Sequence, residues 1–340
     1  MTEFLPGIYK VLQKTDRGNT TEINIFIIPG KKGERSLMID AGFQDENCLA
    51  QMEGVLKELD ISYEDLDVFL THKHHDHSGL ASVYADRGAT IYMNPLEERH
   101  HYDCLFYSTK KTDPQEQDKV LHSVGVTEEG TPEVWDMFER VRKVVENHNG
   151  WTYEVQDFPY KPIAPGVVLH YGDYTFETID LKGHTFGQLG LFDKEHKIFF
   201  CADQVIDGIV PIVATTYPDE HLLRDYFVSL ERFHHEFKEC LLLPAHGKEI
   251  FDAKKVIDRI VFSYLDKVEI MHNILEYSRK ARTIREIATI VYGMPHPPKD
   301  TAEFIKLKMI MSKCFSCLEY LRDEDFAVRE EKDGTFYWRP

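Results

Sequence analysis

Apolar and polar positions alternate in two different rhythms along this chain. Near the N-terminus, "GIYKVL", "TEINIFIIPG" and "SLMIDAGF" are runs rich in β-branched and aromatic residues, separated by the polar turns "KTDRGNT" and "GKKGER". They predict an antiparallel strand series over residues 7–42. Residues 45–59 switch to helical spacing, with Leu49, Met52, Val55, Leu56 and Leu59 on one face. A short strand "VFLTH", a helix from "SGLASVYADRG" and a strand "TIYMN" follow, an α/β alternation. Residues 95–160 are instead rich in charge, histidine and aromatics, and read as a mostly helical insertion containing "PEVWDMFERVRKVV". Strands return at "VVLHYG", "YTFETIDL", "GQLGLFD", "KIFFCAD" and "CLLLPAHG", with a helix at "EHLLRDYFVSLERFHHEF". From about residue 252, two helical stretches and a third at "AEFIKLKMIMSKCFSCLEYL" lead to a hairpin around "KDG". Three helices and a hairpin predict a winged-helix-like module, giving boundaries of 1–251 for a catalytic domain and 252–340 for the module.

Charge and composition narrow the partners. The formal charge of −18 repels phosphate backbones, and the basic pairs at 31–32, 110–111, 142–143 and 279–280 are isolated. The expected partner is a small molecule rather than nucleic acid. The apolar runs have strand length, so no membrane span is expected. "MTEFLPGIYK" has neither a basic n-region nor an apolar h-region, and the six cysteines are dispersed apart from Cys314 and Cys317. A cytoplasmic protein with reduced thiols is the expectation. The lone C-x-x-C on a helix reads as core thiols.

Chemistry concentrates in "THKHHDHSGL", residues 71–80, where four histidines and an aspartate follow an apolar strand. Imidazole is the commonest metal ligand, and catalytic zinc takes nitrogen and carboxylate ligands while keeping a position open. His72 and His74, two apart on an extended segment, can face one side, while Asp76 and His77 come a turn later. One strand-to-helix turn can therefore feed two adjacent metal sites.

The segment "THKHHDHSG" resembles the H-x-H-x-D-H signature of the metallo-β-lactamase superfamily. "LKGHTFGQ" resembles the segment supplying a further histidine, His184; "FFCADQ" the strand end supplying a bridging aspartate, Asp203; and "LLPAHG" the segment supplying a last histidine, His246. "MIDAGF" resembles the segment of a structural aspartate, Asp40. The resemblance covers about residues 7–250 and implies a four-layer αβ/βα sandwich. It implies one metal held by His72, His74 and His184, a second by Asp76, His77 and His246, and Asp203 bridging both. Two divalent ions are expected, zinc first, with iron or manganese also compatible. Asp76 would orient and deprotonate the water, and Asp40 would act behind the ligands.

The implied activity is hydrolysis of a small ester, thioester or lactone by a metal-bridging hydroxide. A phosphodiesterase or endoribonuclease with the same metals is the alternative, and a non-catalytic binding protein is a second class. The bridging aspartate argues against β-lactam hydrolysis, and His74 against the H-x-E-x-D pattern of flavodiiron proteins. His100, His101, Tyr102 and Tyr107 in the insertion, and Tyr217, are candidate pocket residues. Pro218, Asp219, Tyr226, Ser229 and Leu230 resemble a recurring pattern of the winged-helix subgroup. The C-terminal module would pack on the catalytic domain, shaping its entrance or a homodimer contact.

Overall fold

Two β-sheets organise the first of two compact units, and their strands follow chain order. The computed structural model describes residues 1–16, 21–99, 113–147, 157–278, 280–293 and 297–340. Among these, one sheet runs β1 (Thr2–Leu5), β2 (Ile8–Lys14), β3 (Glu22–Ile28), β4 (Ser36–Ile39), β5 (Leu66–Phe69), β6 (Thr90–Met93) and β7 (Lys161–Pro162). A second runs β12 (Leu241–Pro244), β11 (Ile198–Ala202), β10 (Leu189–Asp193), β9 (Tyr174–Asp180) and β8 (Val168–Tyr171). β1 to β4 pair antiparallel, and β4 to β7 pair parallel. Parallel neighbours need crossovers. α1 (Glu46–Glu58) supplies the one between β4 and β5, and α2 (His75–Ser78) with α3 (Ala81–Asp86) the one between β5 and β6.

The period-two alternation explains why β3 reads as an unbroken apolar run. Ile23, Ile25 and Ile27 pack with Met38, Val68 and Ile91 against Met52, Val55 and Leu56 of α1 and Tyr84 of α3. Phe26 and Ile28 point the other way, onto Phe176, Leu191, Phe200 and Leu243 of the second sheet. A strand buried on both faces has no polar side to show. Phe199 and Phe200 divide the same way in β11. Phe200 meets Phe26 edge-on at 5.0 Å, while Phe199 stacks on Phe233 at 4.9 Å. Phe233 lies on the helix Leu222–Glu236, so the layers run helix, sheet, sheet, helix. This is the expected four-layer sandwich. The short strand β1, at the edge of the sheet, was not anticipated.

The second compact unit comprises residues 101–151, 212–228 and 258–340, the first unit the remainder. Its helices are α4 (Pro114–Ser123), α5 (Pro132–Asn147), the start of α6 (Leu222–Glu236), most of α7 (Ala253–Tyr277), α8 (Ile284–Tyr292) and α9 (Thr301–Asp323), followed by the hairpin β13 (Val328–Lys332) and β14 (Thr335–Arg339). The chain-order boundaries kept the insertion with the first 251 residues; compactness groups its described helices with the C-terminal ones. The contacts give the reason. Arg285 donates through its backbone to Val124 and through its side chain to the Gly125 carbonyl, and Phe138 meets Phe304 edge-on at 4.6 Å. Trp338, Cys314 and Cys317 are buried in this unit, and the five described cysteines are unbonded. None of the described helices is long and apolar enough to cross a membrane.

The segment before α6 carries an ionic cluster. Asp219, in the left-handed region at φ 64°, is held by Arg322 and Arg329, and Arg329 also pairs with buried Glu319. Beside it, burial raises the Glu220 carboxyl to about 8, against the pull of the Thr216 and Tyr217 backbone N–H groups and with the help of Glu319. Between an unfolded value of about 4.3 and the folded value, the folded chain holds the extra proton, so this contribution is lost as pH rises through that window. Glu220→Gln, which cannot ionise, should show a flatter fall in thermal midpoint between about pH 5 and 8 than the parent. Parallel curves for the two proteins would refute this.

Candidate metal centre

Each cage residue lies just beyond the carboxyl end of a strand, where open α/β sheets present their ligands. Asp40 follows β4, His72 follows β5, Asp203 follows β11 and His246 follows β12; His184 stands on the turn after β9. The turn after β5 enters α2 at His75, so His74, Asp76 and His77 leave the chain within one helical turn. Gly79 closes that turn against the β4 loop. A Cβ there would sit 2.4 Å from the Gln44 nitrogen and 2.7 Å from the Gly42 oxygen, so only glycine fits.

The seven side chains converge as two adjoining groups. His72 Nε2 lies 2.7 Å and His184 Nε2 3.0 Å from His74 Nδ1. His246 Nε2 lies 3.3 Å and His77 Nε2 3.8 Å from Asp76 Oδ2. Asp203 stands between the groups and divides its oxygens. Oδ1 is 3.4 Å from His246 Nε2 and 3.6 Å from His77 Nε2, while Oδ2 is 3.6 Å from His184 Nε2. Ligands on a tetrahedral zinc at ordinary bond lengths stand about 3.3 Å apart, so these spacings suit cations at two adjacent points.

Hydrogen-bond partners behind the cage, chiefly acceptors, set which atom each ring presents. His246 Nδ1 donates to the Glu22 carbonyl at 2.7 Å, leaving Nε2 toward the carboxylates. His77 Nδ1 donates to Asp40 Oδ2 at 2.8 Å. Asp40 Oδ1 accepts from the Thr71 N–H at 2.8 Å and from its hydroxyl at 2.9 Å, and that hydroxyl oxygen lies 3.0 Å from His72 Nδ1. Asp40 and Thr71 thus orient two rings at once, the arrangement that raises ligand basicity at metal sites. Asn24 donates to the Pro244 and Gly247 carbonyls at 3.1 and 2.9 Å and fixes the His246 loop. The Asp203 N–H donates to Gln188 Oε1 at 3.3 Å.

The electrostatics require compensating charge. Burial, reinforced by His77, His74 and His184, keeps His72 neutral, as a ligand must be. Burial would also deprotonate His246, but Asp203 and Asp76 outweigh it and raise the ring to about 10. His77 is raised well above its usual value against the same burial by Asp40, Asp76 and Asp203. Burial opposes ionisation of Asp76 and Asp203, yet the surrounding imidazoles hold both well below the usual carboxylate range. Among the described residues, His77 Nε2 and Asp203 Oδ1 are buried without a hydrogen-bond partner, a cost that a shared cation would remove. The donor set, nitrogen and carboxylate oxygen with no thiolate, fits zinc, iron or manganese.

Of the expected pocket residues, His100, His101, Tyr102 and Tyr107 lie outside the described residues. Tyr217 is half-buried and belongs to the second unit. Sequence reasoning missed Thr71, Asn24 and Glu97. Glu97 is fully buried on a 3-10 turn (Pro95–Arg99) and accepts from the Lys73 N–H at 2.9 Å and from the Thr185 hydroxyl and Gly187 N–H, each at 2.7 Å.

A four-layer sandwich with paired histidine and aspartate groups at its strand ends is the build of a metal-dependent hydrolase. Residues 19–246 match the family profile described as the metallo-beta-lactamase superfamily, and the chain belongs to that superfamily. It is similar to acyl-coenzyme A thioesterase MBLAC2 of Gallus gallus, 31% identical over 134 residues that cover 37% of this chain and 46% of the relative. The human protein of that name is 26% identical over 141 residues, 39% of this chain and 48% of the relative. The chain thus spans about half the length of these curated relatives. Among solved structures, a metallo-beta-lactamase family protein from Thermus thermophilus aligns with a TM-score of 0.75 at 18% identity, covering 98% of this chain and 99% of that one. A beta-lactamase domain protein from Burkholderia ambifaria aligns with a TM-score of 0.77 at 18% identity, covering 99% and 93%. At such identity these two establish the shared fold.

Proposed function

We propose that this chain is a dinuclear metal-dependent thioesterase acting on acyl thioesters of the coenzyme A type. The observation that carries the metal reading is the division of Asp203, one oxygen facing His246 and His77 and the other His184. His72, His74 and His184 would hold one cation, Asp76, His77 and His246 the second, and Asp203 would belong to both. Zinc is the first expectation. Metals bound there would acidify water, polarise the thioester carbonyl and stabilise the leaving sulfur. Asp76, ionised in this cluster, would orient the attacking water and take its proton. Asp40 and Thr71 would keep the rings of His77 and His72 fixed while charge builds up. The name of the curated relatives supports the thioester class, and the charge of −18 disfavours the phosphodiesterase or RNase reading.

Metal content of the purified, tag-free protein, paired with a panel of acyl-coenzyme A thioesters, lactones, phosphodiesters and single-stranded RNA, tests this. The expected result is about two metals per chain with turnover of thioesters, abolished by a chelator and restored by zinc. Metal-free protein from non-chelating buffer, or turnover confined to RNA, would overturn it.

A further inference from the structure

We infer that Glu97 is a positioning residue that couples the two loops carrying His72, His74 and His184, so that a single buried carboxylate sets the first cation site. This inference rests on the dinuclear reading above. Lys73 lies between His72 and His74, and its N–H donates to Glu97 Oε2. Thr185 follows His184 directly, and its hydroxyl and the Gly187 N–H both donate to Glu97 Oε1. The two oxygens thus address different loops, one from each sheet. Gly187 permits the approach, since a Cβ at that position would sit 3.0 Å from Oε1. Next to it, Lys73 Nζ pairs with Glu98 at 3.2 Å, holding the same 3-10 turn from outside.

The partners explain why a carboxylate is needed. The two backbone groups can only donate, and they sit on opposite oxygens. A glutamine has one oxygen and one NH2 group. If its oxygen serves Gly187, its NH2 faces the Lys73 N–H; if flipped, its NH2 faces the Gly187 N–H. Either way one donor, the buried Gly187 N–H or the partly buried Lys73 N–H, loses its acceptor, which costs stability. The Thr185 hydroxyl can rotate to suit either arrangement. Glu97→Gln therefore keeps the shape but releases one of the two loops.

The test is a metal titration of Glu97→Gln beside the parent protein, with hydrogen exchange of the Lys73 and Gly187 amides read in metal-free protein. The expected result is a folded variant in which one of the two cations binds about 10- to 100-fold more weakly. The other should keep its affinity, and one of the two amides should exchange faster. Equal weakening of both cations, or unchanged affinity and unchanged exchange, would overturn the inference. Should Glu97→Gln not fold, Thr185→Val removes one bond from the same carboxylate. Selective weakening of one cation would then support the inference, and unchanged binding would overturn it. If the parent itself bound no metal, the dinuclear reading would fall, while faster exchange at one amide would still support the coupling and unchanged exchange would overturn it.

Discussion

Asp76→Ala should abolish thioester turnover, by roughly 10²- to 10⁴-fold or more, while leaving the protein folded. The carboxylate is buried among His77 and His246 and belongs to the cage, not to the cores that hold the sheets together. On the reading proposed above, its loss would remove a proton acceptor at the water and one ligand of the second cation. His246 would then face Asp203 as its remaining cage carboxylate, so metal at that point should weaken as well. Steady-state kinetics with a circular-dichroism control decide the matter. Turnover within a few-fold of the parent would sink the proposed role.

Asp203→Asn should be at least as damaging and should show itself without substrate. The side chain keeps its size, but an amide has one oxygen and cannot serve both groups of nitrogens that Asp203 now faces. The expected stoichiometry falls from about two metals per chain to about one, with one cation at least about 100-fold weaker. In the metal-free variant, His246 loses the first of the carboxylates that raise it, so its ring should titrate below the parent's value of about 10. NMR of the imidazole resonances reads this directly. Two metals retained, with His246 titrating as before, would remove Asp203 from the shared position.

Much of this architecture could be read from the chain because the signals were local. The apolar runs from "IYKVL" to "CLLLP" match β2 to β6 and β8 to β12; the signal is strongest in β3 and β11, where burial on both faces leaves little room for polar residues. The turn that brings His72, His74, Asp76 and His77 together was legible because four histidines after an apolar strand form a distinctive local pattern. Glu97 was not legible. It sits in "PLEERHH" beside Glu98, an exposed neighbour of identical chemistry, and its contacts with Lys73, Thr185 and Gly187, remote in the chain, set it apart. β7 was hidden for a related reason, since two residues ending in proline carry no periodicity. The grouping of α4 and α5 with α8 and α9 depends on contacts such as Arg285 with Gly125, some 160 residues apart. No local pattern records those.

The tie between His246 and Glu22 spans 224 residues, and that between His184 and His74 spans 110. Closing such loops costs entropy that grows with the logarithm of their length, and contacts of this range form slowly. During synthesis, the histidine-rich turn leaves the ribosome long before the strand that delivers His246. A nascent chain therefore displays several imidazoles early but lacks the complete second site until β12 has docked beside β11. On the dinuclear reading proposed above, cation uptake would become a checkpoint on chain completion. The binding energy released there would add to the stability of the finished fold, and fragments that end before β12 could not draw on it.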